Sequence, residues 1–212
     1  HAERESFAIS TSIFTVKLLA MIARQYRLPA RSFLLFGPRG TGKTTWLRQQ
    51  LPDALWFDLL RTQTVLDLSR RPESFRQRVE ALPAGSWDVV DEVQRLPELP
   101  NEVHALIAEY GKRYRFALSG SSARKLKRHD VNLLAGRAVN RQFFPLTASE
   151  LGFDVTIDSV LQFGLLPLVR TEIDDAADVL EAYVANYVRE EIQHEAIVRN
   201  LATAPWPYSI ED

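Results

Sequence analysis

Residues 37 to 45 read Gly37-Pro38-Arg39-Gly40-Thr41-Gly42-Lys43-Thr44-Thr45, and these residue types at this spacing predict a loop that cradles phosphate. Gly37 and Gly42 let the backbone turn where a side chain would block it, and Gly40 adds local freedom. Successive amides from Arg39 to Thr45 can then face phosphate oxygens close to a helix N-terminus. The Lys43 ammonium would reach the β- and γ-phosphates, and the Thr44 hydroxyl would ligate Mg²⁺. The alternative is an ordinary glycine-rich connection between a strand and a helix, which leaves Lys43-Thr44 without a reason.

A second chemical cluster follows 48 residues after Lys43, where the apolar run Trp87-Asp88-Val89-Val90 ends in the carboxylates Asp91 and Glu92. Asp91 at the strand's C-terminal edge would hold the Mg²⁺ shell, while Glu92 would polarise a water for attack on a γ-phosphate. An acid pair that merely caps the next helix is the competing account. A carboxylate directly after the metal-binding Asp favours hydrolysis over transfer to a small-molecule acceptor, because an activated water would waste the nucleotide of a phosphotransferase.

Two further candidates are placed by their strands. Arg115-Phe116-Ala117-Leu118 runs into Ser119-Gly120-Ser121-Ser122, so the Ser119 hydroxyl stands at a strand tip from which it could contact the attacking water or the γ-phosphate; a helix-capping serine is the plainer reading. Arg137 follows the helix-terminating Gly136 and is either an arginine that stabilises transition-state charge, in cis or in trans, or a surface or sheet-edge residue. Arg124, Lys125, Arg128 and Arg141 are weaker candidates for the same task. The four histidines, His1, His104, His129 and His194, have no spacing suited to a metal.

These groups need a parallel sheet to bring them together. Strands are predicted at Ser32 to Phe36, Leu55 to Leu59, Trp87 to Asp91, Tyr114 to Ser119 and Val139 to Phe144. Helical patterns lie between them at Thr44 to Leu51, Thr62 to Leu82 with a break at Pro72, Pro100 to Tyr110 and Ser121 to Ala135. That alternation implies an α/β three-layer fold with a parallel five-stranded sheet covered on both faces. Residues 1–30 read as an N-terminal helical extension, with Ile13, Val16, Leu19, Ala20 and Ala23 at helical spacing. Residues 31–150 form the core and 151–212 a helical lobe, in which Asp174 to Val198 is expected as one long helix with an apolar stripe through Val179, Leu180, Tyr183 and Val184.

The 212 residues suffice for one medium α/β domain and a small appendage, and 46% hydrophobic residues can fill its core. The absence of cysteine rules out a disulfide framework and thiolate zinc sites. With no signal peptide visible, it favours a cytoplasmic location. The Ile9 to Ile22 stretch is too short and too polar to span a bilayer, so no membrane association is expected. Net charge is −1, but Lys112 to Arg141 carries nine Lys or Arg against one acid, and Thr171 to Glu195 carries eight acids against one base. Solvated faces account for most such residues; the basic segment 112–141 also raises a nucleic-acid contact, and the asymmetry a homo-oligomer.

Five ordered blocks carry a resemblance to a known family. Phe36 to Thr45, Asp91-Glu92-Val93-Gln94-Arg95-Leu96-Pro97, Leu118 to Leu126, Leu134-Ala135-Gly136-Arg137-Ala138 and Phe144 to Leu151 together resemble the prokaryotic AAA-family ATPases of the AAA+ superfamily. The resemblance runs from about Arg31 to Asn200. It implies a P-loop NTPase core of AAA+ type, with Gly37 to Thr45 as Walker A, Asp91 and Glu92 as Walker B and Ser119 to Ser122 as sensor 1. It further implies ATP and Mg²⁺ as ligands, and a C-terminal domain of unknown function that is truncated here. The expected function is Mg²⁺-dependent ATP hydrolysis that switches the helical lobe. The alternative is a nucleotide-gated module that binds nucleic acid or protein with little hydrolysis of its own. No Asn/Thr-Lys-x-Asp guanine-reading motif occurs, which tilts the base toward adenine.

Overall fold

The computed structural model describes residues 22–121, 134, 136–171 and 175–188. Five strands form one sheet: β1 (Phe33–Phe36), β2 (Leu55–Asp58), β3 (Trp87–Asp91), β4 (Arg115–Gly120) and β5 (Val139–Gln142). Their spatial order is β2-β3-β4-β1-β5, and every neighbouring pair is parallel. A parallel sheet needs crossovers on its faces. Helix α1 (Lys43–Gln50) joins β1 to β2, α2 (Thr62–Arg70) and α3 (Glu73–Glu80) join β2 to β3, and α4 (Leu99–Tyr110) joins β3 to β4. Pro72 separates α2 from α3 as expected, since it has no N–H to continue α2 and is tolerated ahead of a new first turn. The helix expected over 121–135 lies outside the described residues.

The central strands β1, β3 and β4 are buried on both faces and read as largely apolar runs, whereas the edge strand β5 is mostly exposed. On one face Leu34, Phe36, Phe57, Val90, Phe116 and Leu118 pack with Leu68, Phe75, Val79, Val103 and Leu106 from α2, α3 and α4. On the other, Phe33, Leu35, Val89 and Ala117 pack with Trp46 and Leu47 of α1 and with Phe143. Tyr26 closes this second layer, meeting Trp46 edge-on at 5.1 Å and Phe143 at 5.2 Å between ring centroids. Fully burying one such large apolar side chain contributes about 1.5–3 kcal/mol, so both layers hold the sheet. The result is the three-layer α/β architecture that the strand and helix alternation implies.

Beyond β5 the chain forms turns, then α5 (Ile157–Phe163), α6 (Pro167–Thr171) and α7 (Ala176–Tyr183). Thr156 caps α5, its Oγ1 accepting the Ser159 amide at 3.2 Å. The long helix expected from Asp174 is unbroken over the described residues, α7 running directly into a π turn at Val184–Val188. Of its apolar stripe, Val179, Leu180 and Tyr183 are half-buried and Val184 is 48% exposed. One expectation changes at the other end, where residues 22–29 have no helical structure, so the described part of the N-terminal extension is an irregular connection into β1; residues 1–21 are outside the description. Among the described residues no helix is long and apolar enough to cross a membrane.

Candidate functional site

β1 delivers the chain to the sheet's C-terminal edge between β4 and β5, and the Gly37 to Gly42 loop begins there. Gly37 is packed so closely that a Cβ on it would lie 2.0 Å from the Phe143 carbonyl oxygen, so no other residue fits without parting β1 from the chain after β5. Gly42 has φ +87°, a left-handed conformation that glycine adopts at no steric cost, and its carbonyl accepts the Trp46 amide at 2.9 Å as α1 starts. Thr41 is fully buried, with Oγ1 donating to the Pro38 carbonyl at 2.9 Å. The Lys43 ammonium is held within the loop, donating to the Gly37 carbonyl at 2.6 Å and the Pro38 carbonyl at 2.9 Å. It is a buried cation lying among main-chain groups at a helix N-terminus, the setting that favours an anionic ligand.

Asp91 ends β3, one residue beyond the pair Val90 and Leu118. That register sets it level with Ser119 on β4, whose Oγ donates to Asp91 Oδ1. The other carboxylate oxygen, Oδ2, accepts the Thr44 hydroxyl at 2.7 Å. Thus α1, β3 and β4 each contribute one oxygen-bearing side chain to a single cluster. Asp91 is 1% exposed and Ser119 fully buried. Hard oxygen donors of this kind fit Mg²⁺, an ion that takes one or two protein ligands and completes its shell with phosphate and water. No group of three or more His, Cys, Asp or Glu that could cage a metal occurs among the described residues.

Glu92 leaves the strand in the left-handed region, with φ +58°. For a residue with a Cβ this costs about 1–2 kcal/mol. Its carboxylate accepts from Gln94 Nε2, and the same amide nitrogen lies 3.3 Å from Ser121 Oγ. Gln94 Oε1 is buried with no partner. A Cβ at Gly120 would come within 2.5 Å of that oxygen, so the tight β4 exit and the Glu92 tether form one packed unit. Asp88, on the same strand as Asp91, is fully buried and both of its oxygens are unpartnered. Burial pushes its carboxyl up to about 7.

The structure thus brings Gly37, Pro38, Gly40, Thr41, Gly42, Lys43, Thr44, Thr45, Asp91, Glu92 and Ser119 to one edge. Ser119 stands behind Asp91 rather than out at the loop. Arg39 contributes its carbonyl to a contact with the lobe, accepting the Tyr183 hydroxyl at 3.2 Å. Arg137 is not brought to the loop. It lies two residues before Val139, which pairs with Phe33 at the start of β1. At about 3.3 Å per strand residue it is roughly 15 Å or more from Gly37, and its guanidinium meets His104 of α4. Arg124, Lys125 and Arg128 lie outside the described residues. Neither Arg24 nor Gln94 is singled out in the sequence as a site residue, and Tyr183 is marked there only as part of an apolar helical stripe. Gln94 had a signal, its place directly after Asp91-Glu92-Val93, whereas nothing local marks Arg24 or ties Tyr183 to the loop.

Beside the loop, Ile22, Trp46, Leu146 and Pro167 line an apolar recess that also reaches Thr45 and Gln49. A family model for the AAA domain matches residues 30–152. Among solved structures, the chain is similar to the P-loop NTPase domain of the sigma-54 transport activator from E. coli, at 16% sequence identity and a TM-score of 0.39, covering 67% of this chain and 98% of that one. No curated protein matches the chain.

Proposed function

The chain belongs to the AAA domain family through residues 30–152, and from that premise we propose that it binds ATP with Mg²⁺ at the Gly37 to Thr45 loop and hydrolyses it. The observation that carries this reading is the contact of Thr44 Oγ1 with Asp91 Oδ2 at 2.7 Å, which joins the loop to the acidic strand tip. Thr44 and Asp91 would hold the metal, which would supply positive charge against the phosphates. Ser119, donating to the second Asp91 oxygen, keeps that carboxylate in one orientation, while Lys43 and the loop amides neutralise and align the phosphates. Glu92 takes the proton of the attacking water.

The helical lobe is the element that hydrolysis would switch, a reading supported by the Tyr183 contact with the loop at Arg39. Arg137, at the opposite edge of the sheet, serves this chemistry only from a second copy of the chain. Phosphate release by the unaltered protein and by Glu92→Gln tests the proposal. Turnover should fall at least about 10²-fold while ATP binding persists; unchanged turnover removes Glu92 as the base.

A second reading has its own observation. Arg31, Lys112, Arg115 and Arg137 line one recess of about 440 Å³ at the N-terminal edge of the sheet, and this supports an anionic partner such as nucleic acid, gated by nucleotide. Titration with single-stranded DNA at two salt concentrations checks it. Affinity should fall steeply as salt rises, and no binding at low salt removes it.

A further inference from the structure

Arg24 sits outside the phosphate loop in sequence and against it in space. Its side chain is 9% exposed, and its guanidinium lies 4.1 Å over the Phe143 ring. Nη1 donates to the Thr41 carbonyl at 2.7 Å, Nη2 to the Phe144 carbonyl at 2.7 Å, and Nε to Glu150 Oε1 at 3.0 Å. Glu150 is equally enclosed, with its side chain 4% exposed. Its Oε1 also accepts the Gln25 amide at 2.7 Å, and its Oε2 accepts the Thr147 amide at 2.9 Å. A buried guanidinium fork with this many acceptors has a single orientation, set by a planar group stacked on a ring and a carboxylate that is itself pinned.

The consequence for the loop follows from peptide planarity. The Thr41 carbonyl and the Gly42 N–H belong to one rigid trans unit and point in opposite directions. Holding that carbonyl on Arg24 therefore aims the Gly42 N–H away from Arg24. Gly42 has the left-handed φ of +87° and no side chain, so its own backbone does little to restrict this unit's rotation. We infer that Arg24, held by Glu150, is a positioning residue that locks the Thr41–Gly42 peptide so that the Gly42 amide faces bound phosphate. Through it the segment ahead of β1 and the turn after β5 set the loop's affinity. This rests on the nucleotide-binding reading given above.

The test is MgATP affinity by calorimetry for the unaltered chain, Arg24→Ala, Arg24→Lys and Glu150→Gln, far below each protein's unfolding midpoint, where lost stability alone does not change a measured Kd. Losing a charge-assisted hydrogen bond that orients the amide should weaken binding about tenfold for Arg24→Ala. Lys cannot reproduce the fork, so Arg24→Lys should recover only part of the loss, and Glu150→Gln should weaken binding by less than Arg24→Ala. Tripolyphosphate, titrated in parallel, should lose affinity by a similar factor, because the effect is on phosphate. If Arg24→Ala does not fold, the Lys and Gln variants carry the same comparison. Lowered unfolding midpoints with MgATP and tripolyphosphate affinities unchanged would overturn the inference and leave nucleotide binding standing. No MgATP binding by the unaltered chain would instead remove the underlying reading.

Discussion

The Tyr183 hydroxyl, on α7 of the helical lobe, donates to the Arg39 carbonyl in the phosphate loop at 3.2 Å, and its ring edge lies 3.8 Å from where a Cβ on Gly40 would be. Tyr183 thus adds a hydrogen bond to the apolar approach that Leu168 and Pro167 of α6 make to Gly40 and Gly42. A neutral hydrogen bond of this kind is worth about 0.5–1.5 kcal/mol, enough to bias the lobe without locking it. Tyr183→Phe should speed release of a fluorescent ATP analogue about two- to twelvefold in a stopped-flow chase. A release rate identical to that of the unaltered chain would show that the lobe does not report on the loop through this residue.

Glu92 combines a backbone conformation that a side chain disfavours with the carboxylate assigned to the water. Asparagine tolerates left-handed φ far better than glutamate. Glu92→Asn should therefore raise stability by on the order of 1 kcal/mol in urea unfolding, while phosphate release is lost. A variant no more stable than the parent would mean that the local backbone adjusts to hold Glu92 without strain.

Asp88 has neither carboxylate oxygen partnered and its pKa is raised from 3.8 to about 7, with burial as the cause. A carboxyl whose folded value lies above its unfolded value costs stability where it must ionise. The penalty is absent below the unfolded value, grows as pH rises between the two, and is complete above the folded value. Asp88→Asn should be more stable than the parent at about pH 8 by on the order of 2–4 kcal/mol. The advantage should shrink toward zero near about pH 4. Urea midpoints at both pH values check this, and a difference independent of pH would refute it.

Gly37 admits no Cβ, because that atom would meet main chain at Phe143, whose own amide donates to the Phe36 carbonyl at 2.7 Å. Backbone cannot swing aside as a side-chain tip can. Gly37→Ala should cost on the order of 3 kcal/mol or more by forcing the end of β1 away from the residues after β5. Thermal unfolding of the two proteins side by side measures it. A loss of less than about 1 kcal/mol would show that the junction relaxes.

Much of the core was legible in residue order because its signals are local. Phe33 to Phe36 is an unbroken apolar run, which only a strand covered on both faces uses. Pro72 breaks a helical pattern wherever that pattern is placed. The loop from Gly37 to Thr45 and the acids at Asp91 and Glu92 carry their chemistry in type and spacing, and the structure brings them to one edge. The π turn after Tyr183 was not legible. Val179, Leu180, Tyr183 and Val184 fit α-helical spacing, and a π turn at Val184–Val188 alters that spacing without changing the residues that form it.

The sequence by itself determined the order of strands and helices and the phosphate-binding composition of the loop, because hydrophobic period, glycine and proline act over a few residues. Only the tertiary structure decided which distant groups meet. Arg24 and Glu150 are 126 positions apart, and Thr44 and Asp91 are 47 apart. Arg137 falls at the far edge because β5 runs parallel to β1 and begins where β1 begins. Such contacts depend on the sheet order β2-β3-β4-β1-β5 and its register, and no spacing along the chain encodes the register directly.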